Sequence, residues 1–379
     1  MRRFAEIKSL AVVYLFILLL CFPFDWQFFS GHTDLIHWFF DRPTAALAHW
    51  WTGREPLIGL ASDSQQSWAL LGLLLPVSLL LYLGQKAISR CARCEKSLRP
   101  LREILSTTQL VQLAFTYYLA IVFLRYGLDK IAGSQFAQPD MYVLFAETGQ
   151  LDRDLLYWTV MGSSRTYQWW LGLAEIIPAL LLLWPRWRRL GAWLLLPVTL
   201  NVVAVNWSFD ISVKLFSALL LLLNLAILGA DFRRFIAWVD NRPAAAVLQQ
   251  SQVLNLSRNK RQRIWKTALL SLLLLELIWP YAQRGFFWES QRPVADLHGV
   301  YTAPEGSDWY RLYILRDDYW ILEDQARERY RWRRAELPFQ YRAGQDGLRL
   351  QLGEEYLHFK SLPVDDLPLL QSRWHWSVD

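Results

Sequence analysis

The stretch Asn201-Val-Val-Ala-Val-Asn206-Trp-Ser-Phe-Asp210-Ile-Ser-Val-Lys214 sets two amides, a carboxylate and an ammonium between two long apolar runs. On a protein surface such groups are ordinary. Flanked by runs long enough to lie in lipid, they are expensive to keep and point to function. Read as the turn between two membrane spans, this stretch decides how the rest of the chain is read.

Working outward, apolar runs of roughly 17 to 20 residues, enough for a hydrocarbon core of about 30 Å, recur over the first three quarters of the chain and then stop. Seven spans are expected, at residues 10–24, 68–83, 107–127, 167–184, 190–205, 211–228 and 267–281. Basic clusters at residues 85–102, 186–189 and 231–266 alternate with them, and Lys and Arg mark cytoplasmic loops. The N-terminus is therefore expected in the cytoplasm, with residues 31–66 an exported loop along the membrane surface and residues 128–166 a longer exported segment. Gly133, Pro139 and Gly149 would let that segment turn back into the membrane if protein covered it.

The 379 residues carry a net charge of +6. Because the cations sit in short segments between spans, the charge reports topology and gives no nucleic-acid footprint. Of the three cysteines, Cys21 lies in an apolar run, and Cys91 and Cys94 form a Cys-Ala-Arg-Cys pair in a basic loop. With no second pair and no nearby histidine they read as reduced cytoplasmic thiols. Neither metal ligands at suitable spacing nor a covalent cofactor is expected.

Beyond residue 287 short stretches alternate apolar and polar residues, as in Trp309-Tyr-Arg-Leu-Tyr-Ile-Leu, Tyr319-Trp-Ile-Leu, Gly347-Leu-Arg-Leu-Gln-Leu and Tyr356-Leu-His-Phe. Turn signals separate them: Arg316-Asp-Asp, Ala343-Gly-Gln-Asp-Gly and Gly353-Glu-Glu. This is the pattern of a small antiparallel β domain, placed outside the cytoplasm by the span count. The arginine-rich residues 327–334 read as an anion patch or, more simply, as a strand with one charged face.

The polar residues of the third to sixth spans collect at their exported ends. Arg125, Tyr126 and Lys130 close the third span, with Gln135 just beyond. Glu175 lies nine residues into the fourth, about 13 Å down at 1.5 Å per residue. Asn201, Asn206, Asp210 and Lys214 come from the opening stretch. An unpaired carboxylate at that depth costs several kcal/mol, about enough to turn Glu175 into the bundle toward Arg125, Lys130 or Lys214.

These residues carry a resemblance. Tyr126-Gly-Leu-Asp-Lys-Ile, Gln135-Phe, Gly172-Leu-Ala-Glu175, Asn201-Val-Val-Ala-Val-Asn and Asp210-Ile-Ser-Val-Lys214 resemble the DoxX-like family of bacterial membrane proteins, in particular larger members with extra N-terminal spans and a C-terminal extramembrane domain. The resemblance implies a four-helix membrane core. The expected fold is then a membrane α-helical bundle of about seven transmembrane helices with a small antiparallel β domain. Its parts are a two-span region with an exported loop (1–106), the four-helix core (107–235), a basic linker with the seventh span (236–286) and a periplasmic β domain (287–379).

The function expected is that of an inner-membrane protein with an outward-facing pocket between spans three to six. It would bind a small anion or a quinone-like molecule in a membrane redox system, alongside lipid and a redox subunit or exported protein. Glu175, Lys130 and Lys214 would carry the chemistry; Arg125, Tyr126, Gln135, Asn201, Asn206 and Asp210 would bind the ligand. Whether a reaction occurs there is open at this point. A non-enzymatic scaffold using its β domain to hold partners and a small-solute transporter are the alternatives.

Overall fold

At the centre of the helical part, ten consecutive residues, Phe115 to Leu124, are all buried. A helix covered on every face is a core helix, and the others pack around it. The computed structural model describes residues 31–54, 63–88, 108–239, 260–287, 295–344, 346–363 and 367. Among them are nine helices: α1 Gly31–Thr52, α2 Gln65–Ile88, α3 Thr108–Ala132, α4 Met141–Leu144, α5 Arg153–Ser163, α6 Arg165–Leu183, α7 Arg188–Ser208, α8 Lys214–Val239 and α9 Lys260–Arg284. Seven strands follow: β1 Gly299–Thr302, β2 Trp309–Ile314, β3 Tyr319–Asp324, β4 Arg329–Arg333, β5 Gln340–Gly344, β6 Gly347–Leu352 and β7 Glu355–Leu362. They form two compact units, Met1–Asp129 with Leu171–Phe286, and Lys130–Trp170 with Phe287–Asp379.

The seven-span bundle is not what these helices make. Only α6 and α7, among the described residues, are long and apolar enough to cross a membrane. The apolar parts of α2 and α8, Gln65–Leu80 and Lys214–Gly229, fall in the 10–17 residue class. At 1.5 Å per residue such lengths reach at most about 26 Å, short of the ~30 Å core. The tenth-by-tenth burial of α3 makes it the centre of a protein core, and α9 begins with Lys260, Arg261, Arg263 and Lys266 and is interrupted by Glu276. The DoxX-like four-helix membrane core falls with the bundle, since only two of its four helices qualify. The expected exported loop at residues 31–66 is largely the helix α1. The first apolar run, residues 10–24, and the Cys91 and Cys94 pair lie outside the described residues.

Helix packing in the first unit depends on small residues. A Cβ on Gly127 of α3 would sit 2.7 Å from the Gly172 carbonyl oxygen of α6, and one on Gly191 of α7 would sit 2.7 Å from the Pro178 carbonyl oxygen. Two backbone crossings therefore need glycine. The apolar core joins α3 to Leu70 and Leu74 of α2, Leu182 of α6, Leu195 of α7, Leu219 and Leu223 of α8 and Leu277 of α9. Asn224 of α8, fully buried, donates through Nδ2 to the Ala192 carbonyl of α7 at 3.2 Å, a polar tie between apolar helices.

The second unit is a seven-stranded antiparallel sheet in the order β4-β3-β2-β1-β7-β6-β5. One face packs Leu312, Ile314, Trp320, Leu322, Leu348, Leu350 and Phe359 into a core. The other face carries Val300, Tyr313, Leu315 and Ile321, and there Met141, Tyr142 and Phe145 from the segment before α5 cover it. With that cover, both faces of β2 are buried from Leu312 onward. The turn residue Asp318 takes φ +62°, and Gly306 and Gly353 take +82° and +66°.

Candidate functional site

Building from α3, the chain places Arg125, Tyr126 and Asp129 within one turn of each other. Two other helices answer them. Glu276 of α9, 1% exposed, brings Oε1 to 3.8 Å from Arg125 Nη1. One turn and a residue further along α9, the Tyr281 hydroxyl donates to Asp129 Oδ1 at 2.7 Å. From α6, Glu175, 3% exposed, acts on Tyr126 together with Arg125 and Asp129. Gly172 makes this possible, because its close approach to Gly127 draws the Glu175 turn of α6 against the Tyr126 turn of α3. Tyr126 also meets Phe216 of α8 edge-on, ring centroids 6.3 Å apart.

The result is a buried polar cluster in apolar surroundings: a guanidinium, two phenols and three carboxylates from three helices. Its hydrogen-bond donors Arg125 and Tyr126 suit a carbonyl-bearing ligand, while the Tyr281 O–H is engaged by Asp129. Its acids, Glu175 and Glu276 both buried, are of the side-chain type that exchanges protons with a bound ligand.

The residues singled out from sequence divide. Arg125, Tyr126 and Glu175 share this cluster. Lys214 does not act there: it is held by Asp210 at 2.7 Å and by Asp63 at 3.7 Å. Its hydrogen bond with Asp210 keeps the ammonium above the usual lysine range. Asp63 also accepts from the backbone N–H groups of Lys214 and Leu215, each at 2.9 Å, so it caps the start of α8 from the turn before α2. Asp210 is exposed and takes φ +56°. Asn201 is exposed, whereas Asn206 is buried and its carbonyl accepts from the Ile211 N–H at 3.0 Å, closing the α7 end. Lys130 and Gln135 belong to the other unit, where Lys130 Nζ donates to Gln135 Oε1 at 2.9 Å and faces the Phe136 ring.

Three residues of these polar contacts escaped the sequence reading. Glu276 and Tyr281 sit in what looked like a plain apolar run, although a lone carboxylate between Leu275 and Leu277 carries the same signal that picked out Glu175. Asp63 had no such signal, being a turn residue paired with positions about 150 further on. Among the described residues no group of three or more His, Cys, Asp or Glu is placed to hold a metal ion.

Against known proteins, this chain is 34% identical over 129 residues to the uncharacterized protein YwoB of Bacillus subtilis (strain 168), a match covering 82% of YwoB and 34% of this chain. The chain belongs to the YwoB family. No family model matches it, and no solved structure matches it. The name YwoB assigns no ligand or reaction, so family membership leaves the chemistry to the residues of the cluster.

Proposed function

We propose that this YwoB-family chain is a membrane protein that binds a small quinone-like molecule at the Arg125–Tyr126 turn of α3 and exchanges protons with it through Glu175 and Glu276. The observation that carries this reading is that two buried carboxylates, on α6 and α9, act on the same turn of α3. Arg125 and Tyr126 donate to the ligand's carbonyl oxygens. Glu175 and Glu276 relay from the solvent the two protons that reduction of a quinone to a hydroquinone takes up, and a redox partner protein supplies the two electrons. A neutral ligand is favoured over a small anion, because the Lys214 ammonium is already paired with Asp210 and Asp63.

The α6–α7 hairpin is the membrane anchor in this reading. Only 33% and 28% of their apolar windows is buried within the chain, so most of that surface faces outward. Trp187, at the N-cap of α7, and Trp207 near its end are exposed and 20 residues apart, about 30 Å along a helix, which matches the spacing of two membrane interfaces. Arg186, Arg188 and Arg189 at the hairpin tip support a cytoplasmic side for it in this reading. The open ends of α6 and α7, and the segment leading into α6 from the sheet unit, then lie on the exported side of the inner membrane.

The test is direct. Protein purified in mild detergent is extracted with organic solvent and the extract searched for quinone by mass spectrometry, with titration of a short-tailed ubiquinone followed by tryptophan fluorescence. Saturable binding, weakened by Arg125→Met and by Glu175→Gln, supports the reading. Absence of co-purified quinone together with no saturable titration in the wild-type protein would remove it.

A further inference from the structure

The outer strand of the sheet presents a row of arginines along a hydrogen-bonding edge that no described strand occupies. β4 pairs with β3 alone and ends the sheet. Its ladder phase follows from two bonds at its ends: Asp324 N–H donates to the Glu328 carbonyl at 3.1 Å and Arg334 N–H to the Asp318 carbonyl at 3.2 Å. Hydrogen-bonded and non-hydrogen-bonded pairs alternate in an antiparallel ladder. Leu322 with Tyr330 and Trp320 with Trp332 are therefore bonded pairs, and Arg329, Arg331 and Arg333 turn their backbone N–H and C=O groups away from β3, to the open edge.

The side chains of those same three residues project from one face. Arg329 reaches Glu323 at 3.2 Å, Arg331 lies 4.1 Å over the Tyr319 ring, and Arg333 donates to the Tyr319 hydroxyl at 2.6 Å. Arg331 and Arg333 are exposed and ordered by the Tyr319 ring, with Asp140 acting on Arg331 and Glu336 and Asp317 on Arg333. On the opposite face Tyr330 and Trp332 stack with planes 14° apart, and Tyr330 is exposed.

We infer that β4 is a docking edge for an extended acidic segment of a partner protein, added as an eighth antiparallel strand. An added strand bonds to Arg329, Arg331 and Arg333 through its own backbone, and the residues opposite them share the arginine face. Those positions take Glu or Asp, and the intervening positions, beside Tyr330 and Trp332, take apolar residues. A second copy of β4 does not fit, because antiparallel pairing about Arg331 would set Arg331 against Arg331 and Arg329 against Arg333. Rows of like charge on an edge keep copies of one sheet apart, and they do so here while leaving the edge open to the opposite charge.

The experiment uses the full chain in mild detergent and an eight-residue peptide alternating glutamate and valine, with binding followed by fluorescence anisotropy. Two methylated forms of the peptide separate strand addition from simple charge attraction. Backbone N-methylation at the glutamates removes the donors that face β4 and keeps every charge, whereas methylation at the valines blocks only the far edge. The expected result is that the unmodified and valine-methylated peptides bind alike. The glutamate-methylated peptide, a lysine–valine peptide, and the Arg331→Glu/Arg333→Glu protein should each lose about tenfold or more. Equal binding of the two methylated peptides overturns the proposal, as does absence of binding by the unmodified peptide. Tighter binding to phosphatidylglycerol vesicles than to peptide, with no effect of methylation, assigns the arginines to lipid and also overturns it. The methylation comparison uses unaltered protein, so it stands even if the double variant fails to fold.

Discussion

Arg125 on α3 and Glu276 on α9 face each other across 3.8 Å with the carboxylate 1% exposed and the guanidinium 12% exposed. Removing one member of a buried pair strands the other charge in apolar surroundings, and that costs about 3–5 kcal/mol. Arg125→Met is therefore expected to lower the melting temperature of the helical unit sharply, and Glu276→Leu in the same background to restore most of the loss. A double-mutant cycle in thermal unfolding measures both steps. If Arg125→Met alone melts like the wild-type protein, Glu276 is not a buried partner of Arg125.

Asp63 gives a local prediction. Its two oxygens accept from the first N–H groups of α8, so Asp63→Ala should cost about 1 kcal/mol, the usual loss of a side-chain cap. Hydrogen exchange should quicken at residues 214–217 and not in α3. Asp63→Asn keeps the cap and removes the charge near Lys214, so it should fall between the two. Unchanged exchange at the start of α8 in the alanine variant would show that Asp63 caps nothing.

The helices themselves were legible in the chain: each of the six apolar runs from residue 68 to residue 281 falls on a helix. What the runs surround was not, because apolar length alone does not separate a lipid-facing helix from one buried in protein. Residues 115–124 are buried on all sides, and the turn chemistry of Asp63 that helps fix α8 is remote in sequence. In the sheet, alternation marked β2, β3, β6 and β7, but residues 130–170 gave no sign that Tyr142 and Phe145 would cover its second face. Of the candidate site, Glu175 stood out because a carboxylate in an apolar run is rare; Lys214 stood out equally and proved to be a helix-start ion pair. Position in a run identifies a costly residue, and only the partner tells what the cost is for.

Glu323 tests the sheet unit. It is 1% exposed, accepts from the Tyr313 hydroxyl at 2.8 Å and lies 3.2 Å from Arg329 and 3.8 Å from Arg327. Burial, with the Glu323 carboxylate beside it, pushes the Tyr313 phenol up to about 12. Glu323→Gln should destabilise the sheet by about 3 kcal/mol, toward the low end for a buried ion pair because both arginines keep some solvent. The same change should let one more tyrosine ionise below pH 12 in an ultraviolet titration of the still-folded protein. A titration curve identical to wild type would detach Tyr313 from Glu323.

His298, beside the start of β1, gives the sheet a pH dependence with a definite sign. Burial, with Arg316 adding to it, lowers its imidazole below the ordinary 6.5. Between that lowered value and 6.5 the unfolded chain binds more protons than the folded one, so stability rises with pH across the window. The contribution is complete above about 6.5 and is lost as the solution is acidified toward the folded-state value. Most carboxylates titrate lower, near 4, so a melting series from pH 7.5 to 5.5 reads mainly the histidines. Near-ultraviolet circular dichroism of the full chain should show a melting temperature that falls on acidification, and His298→Gln should flatten that fall. Equal slopes in the two proteins would mean that His298 takes up its proton as readily in the folded sheet as in the open chain, and that the Arg316 charge does not reach it.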